Sequence, residues 1–392
     1  MTTADSARVY LPWDAADPYP FYSSLRSEGA VAWDDCAQAW LVFSYSAAQR
    51  ILADPAGWTS NPLANPTAVA TLGVLGDEAL FARSMVNTDG ATHQRLRGSV
   101  RDVFTRTFIT GLHSGVESIC ATLTAALPTS EPFDFMADFA LPFPIAVASA
   151  WLGLSEDTAG LLREESPAIS RLLNDFSDTD AVDNATAAFA ALLTEMLPIA
   201  ADRRIHPGGD DLISFIAADP NLELDDVVFT ALLIAVAGHE TTANLLGAGM
   251  FRLLHHGEPI TAEAVDAGLV TELLRLDGPV QAVGRTATHD HVIEGIRIGT
   301  GQSVLVVLAA ANRDPTAFAD PDDLRTDRRG PAPLSFGHGP HYCLGAALAR
   351  MEITTALQHI LQRQPALAGE PTWRDTRAIR GPQTFPLTLQ YH

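Results

Sequence analysis

Apolar and polar positions along the chain follow two periods, and their distribution predicts a mainly α protein with a smaller β region. Helical spacing runs through 17–29, where it stops on a glycine, and through 46–53. It returns over 92–126 with a break at Gly111, then over 139–154, 156–173 and 181–204. The longest helical pattern is Leu224–Leu254. It is apolar almost all round as far as Leu245, which puts it through the middle of a large core. Further helices are expected at 262–276 and 346–364. Alternation predicts strands at 31–33 and 40–44 and a run of strands and turns over 280–310, punctuated by Glu294-Gly295 and 299–301. Strands return at the C-terminus. Residues 59–75 and 312–333 follow neither period and are expected as loop; loops of such length are often functional. The β-rich parts are thus about 31–44, 280–308 and 367–392. No repeat or low-complexity linker divides the 392 residues, which are expected to form a single domain over 1–392.

Composition narrows the function classes. Apolar residues make up 47% and charged residues 18%, ample for a large core. The formal charge of −22 repels nucleic acid and anionic membranes, so neither is an expected partner. Three cysteines, Cys36, Cys120 and Cys343, form no CxxC pair. That argues against a disulfide framework and for a reducing cytoplasm. The first residues show no basic segment leading into an apolar one, so no secretory leader is expected. The most apolar stretches, 139–154 and 227–238, carry prolines or are too short to cross a bilayer.

The sharpest chemical signal is Phe336-Gly337-His338-Gly339-Pro340-His341-Tyr342-Cys343-Leu344-Gly345. A thiolate bound to haem iron needs a cysteine on a tight loop, backbone N–H groups aimed at the sulfur, and glycines that let the backbone approach a porphyrin. A helix beginning just after the cysteine adds its positive end and is expected to lower the thiol pKa. A buried structural thiol is the bland alternative. Zinc held by His338, His341 and Cys343 is another, but a fourth ligand at suitable spacing is missing. A metal-dependent hydrolase drawing on His338, His341, His289 or His291 would bind zinc and no haem.

These residues resemble the ligand loop of the cytochrome P450 superfamily, of the soluble bacterial type, through Phe336, Gly337, Gly339, His341, Cys343 and Gly345. The resemblance extends from roughly residue 21 to the end. It implies a long central helix over a haem b (iron protoporphyrin IX), with Cys343 as axial iron ligand. Glu272-Leu-Leu-Arg275 matches the family's ExxR element; i and i+3 share a helical face. The family buries that pair and adds an arginine from the preceding coil, here Arg328 with Arg329 as the neighbouring option; its role is structural. Ala237-Gly238-His239-Glu240-Thr241-Thr242 resembles the oxygen-activation motif. It implies that Thr241 hydrogen-bonds dioxygen or an associated water while Glu240 links that water to solvent, with Ala237 and Gly238 leaving room. His93 and Arg97, four apart on one helical face, resemble a propionate-binding helix, and Arg285 and His341 match two further propionate contacts. Ala311-Asn312-Arg313-Asp314-Pro315 matches a family segment read as structural.

Leu233, Val236, Ala237, Glu240, Thr241 and Asn244 are expected on one stripe above the haem. The resemblance makes Leu233, Val236 and Ala237 one pocket wall and Val280, Ala282 and Val283 a second. The roof is the 59–85 loop with the helices near Leu172 and Ala187. The implied activity is a haem-thiolate monooxygenase acting on a small, largely apolar organic substrate by hydroxylation or epoxidation. Oxidative C–C or C–O coupling, or desaturation, is the alternative with the same haem. Dioxygen is the co-substrate. The two electrons come from NAD(P)H through a ferredoxin reductase and a ferredoxin, because no flavin motif or iron–sulfur cysteine cluster is present. Ferredoxins are acidic and so is this chain, so a local basic patch on the cysteine side is expected, from Arg95, Arg101, Arg106 and Arg350. A free cytoplasmic monomer of secondary metabolism or small-molecule breakdown fits this picture. A non-catalytic haem-thiolate sensor would need Cys343 but not the acid–alcohol pair; Thr241→Ala separates them, wasting electrons in an enzyme and doing little in a sensor.

Overall fold

Local chemistry sets where the elements start and stop. The structure, a computed structural model, describes residues 16–35, 37–66, 69, 84–129, 131–174, 179–374 and 379–390; the side chains at 172–174, 179, 181 and 182 fall outside that description. The helices are α1 (Tyr19–Glu28), α2 (Tyr45–Ala53), α3 (Gly90–Val100), α4 (Arg106–Gly111), α5 (His113–Ala126), α6 (Pro142–Leu152) and α7 (Glu156–Asn174). They continue as α8 (Thr179–Ile205), α9 (Leu212–Ala217), α10 (Leu224–Leu254), α11 (Ala267–Asp277), α12 (Leu308–Ala311) and α13 (Ala346–Gln362). Ser44 opens α2 by accepting from the Ala47 amide at 3.3 Å, and Asp266 opens α11 by accepting from Leu269 at 2.8 Å. Each such cap stabilises its helix by about 1 kcal/mol.

The strands are β1 (Val31–Asp34), β2 (Ala39–Val42), β3 (Trp58–Thr59), β4 (Phe133–Asp134), β5 (Val283–Ala287) and β6 (His291–Ile293). After them come β7 (Ile296–Ile298), β8 (Ser303–Val306), β9 (Pro365–Leu367), β10 (Thr372–Trp373), β11 (Pro382–Thr384) and β12 (Pro386–Leu389). The largest sheet has the order β1-β2-β8-β5-β3, with β2 and β8 parallel and Trp40 opposite Val304. A three-stranded sheet, β4-β12-β9, joins the middle of the chain to its end, and β6-β7 and β10-β11 are separate pairs.

Most predicted elements are present, with instructive differences. The 92–126 pattern is broken near 101–105 as well as at Gly111, because Thr105 turns out of a short 3-10 stretch and caps α4 with its hydroxyl. The 139–154 helix starts as a π turn at Met136–Ala140 before α6. Pro142 and Pro144 sit in the first turn of α6, where helix N–H groups lack intrahelical partners anyway. The helix expected from 262 starts with a 3-10 turn, Ala262–Ala264. Two helices went unread: α9 is too short to show a period, and α12 was taken as part of the 280–310 β run. Of the expected 59–75 loop, 67–68 and 70–75 lie outside the described residues, as does most of the remaining roof segment to 85.

Two apolar clusters meet on α10. One gathers α5, α11 and α13 around a stack of Phe135, Phe139 and Phe143. The other gathers α3 and α6–α9 around Leu96, Trp151 and Leu232. Against expectation, two helical stretches have the length and apolarity of a bilayer span, Asp183–Ile205 and α10. For α10, 72% of the most apolar window is buried inside the protein, so its composition is that of a core helix. At the opposite edge, Tyr19 of α1 lies between the guanidinium groups of Arg313 and Arg380, 3.4 and 5.2 Å from its ring centre.

Candidate functional site

The cysteine loop is held by its own backbone and by the helix beneath it. The Cys343 amide donates to the Phe336 carbonyl at 2.8 Å, closing the loop. Gly337 and Gly339 adopt φ of 71° and 72°, a region open to glycine and strained for other residues. A Cβ on Gly339 would also collide with the Leu52 carbonyl of α2. The Phe336 ring carries the Arg350 guanidinium at 5.2 Å. Asn312 ties the loop down: its side chain accepts from the Leu334 amide at 2.6 Å and donates to the Ser335 hydroxyl at 2.8 Å, which in turn donates to Leu274 of α11. The 311–315 segment read as structural thus supports the loop through a residue whose contacts are not visible in its spacing.

Cys343 has accessible surface, yet burial dominates its thiol and pushes its pKa up. A side chain lining an internal cleft behaves in this way. The Gly345 amide and Arg97 work in the opposite direction. The expected lowering is therefore outweighed in the protein alone, because desolvation of the thiolate exceeds what one amide and a nearby cation return.

Beneath the loop, Glu272 and Arg275 are 3% and 1% exposed. Arg275 Nε and Nη2 donate to the two Glu272 oxygens at 2.7 and 2.9 Å. Arg275 also reaches the Asn312, Pro321 and Asp323 carbonyls. Arg328 Nε lies 3.1 Å from Glu272 Oε2, so Arg328 rather than Arg329 is the third member of the cluster. Burial alone would raise the Glu272 pKa; hydrogen bonds from Arg275, the Arg325 amide and Arg328 outweigh it and hold the carboxyl below its usual range.

A cation cluster lies beside the loop. Arg97 of α3 donates to the Tyr342 carbonyl at 2.7 Å. The His93 and His341 rings are 4.3 Å apart. His341 Nε2 lies 2.9 Å from both Asp89 Oδ1 and Ser60 Oγ. Burial, then His341 and Arg97, push His93 down to about 4. Burial lowers Arg285 as well, with Asp89 opposing it. Asp89, unread in the sequence, is drawn far below the usual carboxylate range against the effect of burial, by His341, Thr59 and the Ser60 amide. His93 Nε2 is buried and has no partner among the described residues. His93, His341 and Arg285 face the Asp89 carboxylate, and Arg97 lies beside His93 and Cys343, a set that accommodates further anions. A Cβ on Gly345 or on Gly238 of α10 would meet open space. Thiol, basic groups and open glycine faces together fit a haem with its two propionates.

On α10 the expected single stripe divides in two. At about 100° per residue, Ala237, Gly238 and Thr241 share one arc, which carries accessible surface. Ile234, missed in the sequence, shares that arc and is partly exposed, as is Leu233 at its edge. Thr241 Oγ1 donates to the Ala237 carbonyl at 2.7 Å. Val236, expected in the pocket wall, is 2% exposed and packed into the core, because it lies about 100° round the helix from Ala237. Glu240, about 60° round from Ala237, is buried, and Asn244, two turns further along near the azimuth of Ala237, is buried against Gly381 beside the C-terminal strands. Glu240 Oε2 pairs with Arg374 Nη1 at 2.9 Å, a partner that sequence spacing could not reveal. Val280, Ala282 and Val283 are partly exposed near the start of β5. Of the expected roof, the Leu172 side chain lies outside the described residues.

Comparison with known proteins agrees with this geometry. The family model described as Cytochrome P450 matches residues 267–364, which hold the Glu272–Arg275–Arg328 cluster and the cysteine loop. The chain is 35% identical to the cytochrome P450 monooxygenase PikC of Streptomyces venezuelae, over 95% of this chain and 91% of the relative. It is 32% identical to the 6-deoxyerythronolide B hydroxylase of Saccharopolyspora erythraea, over 99% of this chain and 100% of that protein. Among solved structures, P450BioI in complex with a hexadec-9Z-enoic acid ligated acyl carrier protein superimposes with a TM-score of 0.87 at 28% identity, covering 95% of this chain and 98% of that one. The chain therefore belongs to the cytochrome P450 family, as a P450 monooxygenase, and the family carries haem and uses dioxygen.

Proposed function

We propose that this monooxygenase inserts one oxygen atom into a C–H or C=C bond of a small, largely apolar organic molecule. The balance is RH + O2 + 2 e− + 2 H+ → ROH + H2O for hydroxylation. The observation that carries this reading is the enclosed Cys343 thiol, met by the Gly345 amide, in a chain whose long helix carries Ala237, Gly238 and Thr241 on an open face. Haem bound at Cys343 supplies the iron centre at which dioxygen is activated and cleaved.

The chain's own residues have distinct tasks. Cys343 would supply the thiolate that holds the iron, and the Gly345 amide, which donates to its sulfur, would steady its charge. His93, Arg97, Arg285 and His341 hold the two propionates, the arginines by paired N–H donors. Phe336, Gly337 and Gly345 shape the loop beneath the ring. Glu272, Arg275 and Arg328 fix that loop from below. Thr241 holds a hydroxyl toward the open face, and Glu240 passes protons to it from solvent through water. Ala237 and Gly238 leave space. Leu233, Ile234, Val280, Ala282 and Val283 give the pocket its apolar wall, as small-molecule sites usually have.

Relatives such as the 6-deoxyerythronolide B hydroxylase favour a substrate from secondary metabolism, with coupling or desaturation as other outcomes of the same chemistry. Electrons reach the site from NAD(P)H through a ferredoxin reductase and a ferredoxin. The chain works as one domain over 1–392, as a cytoplasmic monomer. The test is the absorption spectrum of the dithionite-reduced holoprotein with and without carbon monoxide. A strongly red-shifted Soret band, lost in Cys343→His, is expected. A band at the histidine-ligated position in the unaltered protein would overturn the assignment of Cys343.

A further inference from the structure

We propose that Arg374 is a positioning residue for proton delivery: its guanidinium pairs with the Glu240 carboxylate, fixes it in place and provides its connection to solvent. This rests on the reading of Glu240 and Thr241 as the proton relay.

Glu240 sits in a long, largely buried helix with its side chain 7% exposed, while the Arg374 side chain is 18% exposed. An unpaired carboxylate in such a place costs several kcal/mol and takes up a proton instead. Among the described residues, Arg374 is the only charged side chain in contact with the Glu240 carboxylate. Among the described residues, the surroundings add no second charge. His239 is neutral: its Nε2–H donates to the Leu141 carbonyl at 3.1 Å, so Nδ1 accepts from the Ser166 hydroxyl of α7, and burial holds the ring at about 4. Helix α6 against this side carries no charged residue. Glu352 of α13 meets α10 at Thr242, about 160° round the helix from Glu240.

Arg374 is fixed where it stands. Its amide donates to the Gly381 carbonyl at 3.1 Å, next to the β10–β11 pair. Gly381 presses on α10, since a Cβ there would collide with the Asn244 side chain. Asn244 in turn donates to the Glu240 carbonyl at 2.8 Å. The strand pair, Arg374 and the Glu240 turn of α10 therefore form one rigid contact, which delivers the guanidinium to the carboxylate without a search.

The experiment follows dioxygen reduction by the holoenzyme, driven by a plant ferredoxin and its reductase without added organic substrate, from pH 6 to 8.5. Peroxide takes two electrons and two protons per dioxygen, water four of each, so the fraction recovered as peroxide reports proton delivery. The unaltered protein and Arg374→Lys should give a low, flat fraction. Arg374→Met and Arg374→Gln should give one several-fold higher at pH 6, falling as the carboxyl ionises. Arg374→Met with Glu240→Gln should abolish that step and match Glu240→Gln alone. Infrared spectra should show a protonated carboxyl band at pH 6 in Arg374→Met that disappears in the double variant. If Glu240→Gln leaves the peroxide fraction unchanged, the relay reading fails, and the infrared band alone decides the role of Arg374. A flat, unchanged profile in Arg374→Met and Arg374→Gln beside an altered Glu240→Gln, or no infrared band, overturns the proposal. Retention of the reduced carbon monoxide spectrum establishes that each variant is folded.

Discussion

Glu352 of α13 faces Thr242 of α10, close enough for the hydroxyl to act on its carboxyl, where the helix that follows the cysteine loop meets the helix that carries Glu240 and Thr241. Burial raises the Glu352 carboxyl to about 8, against the opposing effect of Thr242, so at neutral pH it is a neutral acid between two apolar helix faces. A raised carboxyl stabilises the fold fully below its ordinary value near 4.5 and ceases to do so as pH rises through about 8. At about 1.4 kcal/mol for each pH unit between the two values, the loss reaches a few kcal/mol. Denaturant unfolding of the holoprotein at pH 6 and 9 should show a drop for the unaltered chain and a smaller one for Glu352→Gln. Equal drops would mean that Glu352 is ionised throughout.

Arg275→Ala would leave Glu272 buried with only Arg328 beside it, and Arg328 is itself the more exposed partner. Breaking a buried pair of this kind costs about 3–5 kcal/mol. The expected result is a protein that unfolds at much lower temperature and retains little haem. Arg275→Lys should recover only part, because an ammonium cannot reproduce the paired contact to Glu272 together with the three carbonyls. Calorimetry and haem content measure both, and a melting temperature unchanged in Arg275→Ala would show that the cluster is not structural.

The four basic groups beside the loop predict a graded loss of haem. Arg97→Ala removes the link to the Tyr342 carbonyl and, on the proposed reading, a propionate donor, so haem transfer to apomyoglobin should speed up on the order of tenfold, one charge-assisted contact being worth about 1.5–3 kcal/mol. His93→Phe keeps the ring contact with His341 and loses the donor, and should give a smaller increase. Transfer rates equal to the unaltered protein in both variants would remove these residues from the propionate site.

The basic-patch expectation is sharpened by what each arginine touches. Arg95 is engaged with Asp226 at 3.3 Å, and Arg350 lies on Phe336 and donates to Thr271. Arg101 is 76% exposed on its side chain and, among the described residues, pairs with Asp102, itself 89% exposed. Charge reversal at Arg101 and Arg106 should therefore slow the first electron transfer from a ferredoxin, measured by stopped flow under carbon monoxide, and steepen its loss with salt less than in the unaltered protein. Peroxide-driven turnover should stay the same; an equal fall in both assays would mean a general defect.

The sequence was most legible where a residue's neighbours along the chain are also its neighbours in space. Glu272 and Arg275 pair across one helical turn, and the glycines around Cys343 report a turn that only they adopt freely. The bounds of α10 followed from a 31-residue apolar pattern. What stayed hidden was contributed from far away. Arg374 reaches Glu240 across 134 positions, and Asp89 reaches His341 across 252. Val236 was misjudged for a related reason: helical spacing ranks residues around the axis, but which arc faces the cleft is decided by the packing of α3 and α6–α9.

The parallel pairing of β2 with β8 sets Trp40 against Val304, and β12, at 386–389, completes the sheet begun by β4 at 133–134. Contacts of such sequence separation form slowly, since the entropy of closing a long loop must be met before the pairing stabilises anything. During synthesis the first strands leave the ribosome without their partners, and the basic groups at 93 and 97 wait for those at 285 and 341. The groups that surround the cysteine loop therefore come together only once the chain has been made past Cys343, so the site is among the last parts of the molecule to be completed.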